Sequence, residues 1–164
     1  MSNTSFAMIT ERRTTIFEIV SRDSFFNAVC NIGAVPEEGR TKILLDHCDR
    51  IIRFAHMLKN GESKNKGVFM KLAYKTAATC PSLVNDREAM LNAADNLLHD
   101  ESIPAMGVDA ATYHFNNTAL SSLIEAVETE KVLITRDADR DSLDDEMMQF
   151  ALMLIGFSLD VSAF

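Results

Sequence analysis

The sequence predicts an all-α protein, and three observations carry that prediction. Apolar residues recur at spacings of three and four along most of the chain, which is the period of one helix face. Strict alternation of apolar and polar residues, the mark of a half-buried strand, is nearly absent. Only three prolines and six glycines interrupt 164 residues, so long helices have room to form. At 47% hydrophobic and 24% charged, the composition is that of a globular chain rather than a disordered one. The length fits a single domain over residues 1–164, expected as a bundle of about six to seven helices.

The first helix is expected from about Ser5 to Arg22 and a short second one from about Ser24 to Asn31, with Gly33 placed for a left-handed C-cap. Pro36, Glu37 and Glu38 read as the opening turn of a long third helix, because proline's fixed φ suits a helix start and acids complement its dipole. That helix runs to about Asn60 and carries Leu44, Cys48, Ile51, Ala55 and Leu58 as one apolar stripe. Residues 60–67 contain no apolar side chain and two glycines, the pattern of an exposed flexible loop.

A fourth helix is expected from about Val68 to Thr79, ending before Pro81, since the residue preceding proline is pushed out of the α region. Asn85 and Glu88 have the spacing of a capping pair for a fifth helix to about His99. Residues 100–108 hold Pro104 and Gly107 and read as a connection. Asp109 then caps a helix reaching about Val132, with Asn116-Asn117 as a point of interruption and Leu120, Leu123, Ile124 and Val127 as its buried stripe. Ser142 and Asp145 resemble a capping pair for the last helix, about 143–158. Its apolar residues point in every direction, which places it inside a bundle or at an interface between copies, and a homo-oligomer is expected.

Charge is distributed unevenly. Residues 1–39 balance to -2, residues 40–75 carry nine basic against three acidic groups, or +6, and residues 76–164 carry four against sixteen, or -12. An overall charge of -8 argues against indiscriminate polyanion binding, yet a basic segment this concentrated builds a local attractive field. Lys64 and Lys66 lie in the polar loop, Lys71 and Lys75 on one face of the following helix, with Phe69 and Tyr74 interleaved. Cations follow phosphates and rings stack on unpaired bases, so this pattern fits single-stranded nucleic acid, DNA or RNA. Arg50, Arg53 and Lys59, on the polar side of the third helix, extend the track. A solvated lysine loop neutralised by the acidic half would have the same composition.

Arg40 and His47 are seven positions apart, which places them within roughly 20° of each other on a helix. An arginine and a histidine separated by six residues resemble the short motif of the HEPN family of all-α ribonucleases. The resemblance covers those two residues and implies metal-independent phosphodiester cleavage, with Arg40 and His47 handling the phosphodiester. Thr41 stands where family members carry a polar residue such as Asn or Asp, and the motif lies in the first third of the chain rather than late in the domain.

Asp137, Asp139 and Asp141 match the first ligand positions of an EF-hand loop, but Ser142, Asp144 and Met148 occupy positions that need glycine, an apolar residue and a bidentate glutamate. The acidic run is explained by capping and the helix dipole. His47, His56, His99 and His114 lack metal-ligand spacing, no serine sits in a G-x-S-x-G turn, and no glycine-rich phosphate loop is present. No cofactor, metal or catalytic residue is therefore expected. Cys30, Cys48 and Cys80 are odd in number and fit neither a disulfide framework nor a zinc knuckle. Arg13 falls in the apolar arc of Ile9, Ile16, Phe17 and Val20, where it must pair with a carboxylate, snorkel outward or reach an anion.

The opening MSNTSFAMITERR lacks a secretory pattern. The longest nearly apolar run, Met147 to Leu159, covers 13 positions broken by Gln149, Gly156 and Ser158, short of the roughly 20 that span a bilayer. A cytoplasmic protein without a membrane partner is expected. Its expected function is that of a non-enzymatic accessory protein binding single-stranded nucleic acid. The alternatives are a protein-interaction module that regulates a larger enzyme through its acidic 125–146 surface, and a HEPN-like ribonuclease.

Overall fold

The computed structural model describes residues 6–19, 39–60, 73–78, 80–99, 115–136 and 145–161. Its elements are α1 (Phe6–Ile19), α2 (Arg40–Asn60), a helical segment at 73–78, a 3₁₀ turn (Pro81–Leu83), α3 (Arg87–His99), α4 (Asn117–Arg136) and α5 (Asp145–Val161). Among the described residues there is no strand, only an isolated antiparallel bridge between Val84 and Phe115. The all-α expectation therefore holds.

Helix boundaries differ from the periodicity reading where backbone details outweigh it. Gly39 has φ +70°, a left-handed conformation that an L side chain resists. A helix cannot pass through it, so α2 begins at Arg40 rather than Pro36, with the Ile43 N–H donating to the Gly39 carbonyl at 3.0 Å. The segment at 73–78 ends ahead of Pro81 as expected, with the Cys80 N–H donating to the Thr76 carbonyl at 2.8 Å.

The Val84–Phe115 bridge and an Asn116 N–H bond to the Leu83 carbonyl (2.8 Å) hold both strands of chain extended just before a helix. A cap follows each extended stretch. Asp86, not Asn85, caps α3 by accepting the Ala89 N–H at 3.0 Å, and Asn116 caps α4 by accepting the Ala119 N–H at 3.1 Å. The interruption expected at Asn116-Asn117 is thereby where α4 begins, the expected Asp109 cap lies outside the described residues, and α4 runs on to Arg136, four residues past the expected end. The expected helix at 24–31, the loop at 61–67, the connection at 100–108 and the acidic run at 137–144 lie outside the described residues.

Helix α4 packs most extensively on α2 and also on α1, while α2 packs on α5. Lys131 reaches Asp49 and Lys59 reaches Ser121. These ties are ten residues apart on each helix and run in opposite senses, so α2 and α4 lie side by side and antiparallel over about 15 Å. The predicted stripe of α2 is buried in full, Leu44, Cys48, Ile51, Ala55 and Leu58, as are Leu120, Leu123 and Val127 of α4, with Ile124 partly buried. Helix α5 is covered within the chain from Phe150 to Ser158 except Leu152, which is half-buried. Phe157 meets Phe54 of α2 edge to face with centroids 6.0 Å apart.

At the junction of α1, α4 and α5 sits the arginine that the apolar arc left unexplained. Arg13 donates through Nε to Glu130 Oε1 at 2.7 Å and through Nη2 to Oε2 at 3.3 Å, and its guanidinium lies 4.9 Å from the Phe150 ring centroid. The carboxylate is 1% exposed and the arginine 13%. Of the three routes open to Arg13, the chain takes the paired carboxylate. The two-pronged geometry satisfies both carboxylate oxygens away from water, as a buried charge requires.

Candidate nucleic-acid interface

The polar face of α2 follows from its amphipathic pattern: with Leu44, Cys48, Ile51 and Ala55 turned into the core, Lys42, Asp46, Arg50, Arg53, His56 and Lys59 are left exposed. Among the described residues, Arg50 and Arg53 form no ion pair. Both line an open groove of about 540 Å³ between α2 and α4, together with Asp46, Asp49, Ile52, Glu128 and Lys131. The antiparallel packing of the two helices creates this groove, because the residues come from sequence positions some eighty apart.

One side of the groove is tied. Lys131 donates to Asp49 Oδ1 at 2.7 Å, and that hydrogen bond holds its ammonium above the ordinary lysine range. Asp46 and Glu128 form no salt bridge among the described residues, although the Glu128 charge also acts on Lys131. The groove thus offers two guanidinium groups and two carboxylates to a ligand, with the nearly buried Ile52 as an apolar surface.

The other predicted contacts divide. Lys59 is exposed and donates to Ser121 Oγ at 3.1 Å, so its ammonium is already engaged with α4. Tyr74 is 41% exposed and Lys75 half-buried, and neither lines the groove. Lys64, Lys66, Phe69 and Lys71 fall outside the described residues. Asp46, Asp49, Glu128 and Lys131 were missed as site residues. Exposed charges at i and i+3 on α4 were the available signal, but no periodicity tells which helix they face.

Arg40 and His47 both lie on α2, and each is half-buried. His47 Nδ1 shares a 2.9 Å hydrogen bond with Oγ of the fully buried Ser158 on α5. Burial lowers the pKa of His47, Arg50 lowers it further, and Asp46 opposes them. The ring is thereby kept neutral and anchored to the core through one nitrogen. Burial, reinforced by the neighbouring Glu130 charge, pushes the Cys48 thiol up to about 12, which keeps it protonated and unreactive.

Among the described residues no group of three or more His, Cys, Asp or Glu side chains is placed to hold a metal ion, and no helix is long and apolar enough to cross a membrane. No protein-family model, curated protein or solved structure matches this chain.

Proposed function

We propose that this protein binds single-stranded nucleic acid, without chemical action on it, through the exposed cationic face of α2. The observation that carries the reading is the pair Arg50 and Arg53, exposed, lining one groove and forming no ion pair among the described residues. Their planar forks match phosphate oxygens, and their charge is not already spent on a carboxylate. They belong to the 40–75 segment whose balance is +6, and the ring of Tyr74 in that segment is open enough to stack on a base. Carboxylates beside the arginines disfavour a duplex, whose phosphates are twice as dense along its axis as those of one strand.

The test is a fluorescence-anisotropy titration with single-stranded DNA, single-stranded RNA and duplex DNA at several salt concentrations. Single strands bind more tightly than duplex. Exchanging Arg50 and Arg53 for glutamine weakens binding and reduces the slope of log affinity against log salt by roughly 1.4, at about 0.7 per lost contact. Exchanging Lys64, Lys66, Lys71 and Lys75 for glutamine removes roughly 3 more. A flat salt response, or unchanged affinity in the arginine variant, refutes the reading.

A further inference from the structure

The groove between α2 and α4 has a feature that phosphate binding does not use. Glu128 stands on α4, across from Arg50 and Arg53 on α2, and forms no salt bridge among the described residues, its charge acting only at longer range on Lys131. A carboxylate repels phosphate and so opposes simple backbone binding. It is an acceptor-only group, so what it can take is a ligand edge that carries two adjacent donors.

We infer that this groove receives a guanine nucleotide, with the phosphate on Arg50 and Arg53 and the base edge on Glu128. The inference rests on the nucleic-acid reading above and names the base it selects. Guanine alone among the common bases presents two neighbouring donors on its Watson–Crick edge, N1–H and the N2 amino group, which meet the two oxygens of one carboxylate. Adenine and cytosine set an amino donor beside a ring acceptor, and thymine or uracil sets one imino donor between two carbonyl acceptors. Each of these turns a lone pair toward a carboxylate oxygen. Unpaired bases expose this edge, whereas a duplex hides it, so guanine selection and single-strand preference share one cause.

Size and charge fit as well. A volume of about 540 Å³ lies inside the roughly 300–1,000 Å³ of small-ligand sites. The nearly buried Ile52 gives the base an apolar surface, and the Lys131–Asp49 tie supports the groove from one side. A ligand with an anion at one end and paired donors at the other matches the two arginines and the Glu128 carboxylate more completely than phosphate alone does.

The experiment uses the full chain with thymine oligomers carrying isolated guanines, the same oligomers with inosine in place of guanine, all-thymine oligomers, and guanosine monophosphate alone. Inosine keeps N1–H and lacks the N2 amino group. The guanine oligomer binds roughly tenfold more tightly than the other two. Glu128→Gln abolishes that preference and leaves affinity for the thymine oligomer the same or higher, whereas Asp46→Asn keeps it. Both residues are exposed, and far-UV circular dichroism confirms that the variants fold. Equal binding of all three oligomers overturns the guanine inference and leaves the nucleic-acid reading standing. A preference that survives in Glu128→Gln overturns the assignment to that carboxylate. Binding of guanosine monophosphate with no binding of any oligomer supports a guanine site for a free nucleotide and overturns the strand reading. Failure of every ligand overturns both.

Discussion

Replacing Arg13 by methionine tests the central packing argument most directly. The substitution keeps most of the apolar stem but removes both hydrogen bonds to Glu130, at 2.7 and 3.3 Å, and the cation over Phe150. It leaves a carboxylate that is 1% exposed without its guanidinium. Removing one member of a buried ion pair costs about 3–5 kcal/mol. Because Arg13 itself is 13% exposed, water can reach part of the vacated space, and the lower end, about 3 kcal/mol, is expected. For a chain of this size that lowers Tm by roughly 6–12 °C. The double variant Arg13→Met with Glu130→Met should recover to within about 1 kcal/mol of the parent, because well-packed apolar groups replace a buried pair at little cost. Urea unfolding followed by circular dichroism on the parent, both single variants and the double variant gives the coupling energy, the sum of the two single losses less that of the double, expected to be at least about 2 kcal/mol. Loss of less than about 1 kcal/mol in Arg13→Met, or a double variant as unstable as the sum of the singles, would refute the reasoning.

Three further outcomes are expected. The pKa of His47 is lowered in the folded chain, so the unfolded chain binds more protons below the ordinary value near 6.5. The corresponding stability is full above that pH and is lost as pH falls through the folded value. His47→Gln flattens this acid-side slope in urea titrations between about pH 7 and pH 5, and an unchanged slope means another group is responsible. Asp86→Ala and Asn116→Ala each cost about 1 kcal/mol through lost caps while Asn85→Ala costs a few tenths at most; a reversed order in thermal melts contradicts the cap register. In a Cys30→Ser background, the buried thiols Cys48 and Cys80 react with a chromogenic disulfide only as fast as the protein opens, and rapid labelling under native conditions disproves their burial.

Much of the helix layout was legible because a buried stripe imposes its own period. Leu44, Cys48, Ile51, Ala55 and Leu58 recur as one helix face demands, and all five are in the core. Helix starts were less legible, since they depend on single residues rather than on a repeat. Gly39 stops a helix that Pro36 and its acids would open, and the caps at Asp86 and Asn116 are selected by a bridge between positions 84 and 115 that lie far apart in sequence.

The candidate site divides in the same way, between the direction of a side chain on its own helix and the neighbour it meets. Local spacing was enough to assign Arg50, Arg53 and Lys59 to the polar side of one helix, because a side chain's direction relative to its neighbours is a property of the helix alone. Which charges stand opposite them was decided by the antiparallel seat of α2 on α4, which brings Asp49 to Lys131, Lys59 to Ser121 and Glu128 to the groove of Arg50 and Arg53. Arg13 shows the limit most clearly. Its place in an apolar arc announced that a buried charge needed a partner, but Glu130 is 117 positions away. A pairing across that separation exists only once hydrophobic burial has packed α1 on α4 and removed the water that would otherwise have solvated both charges.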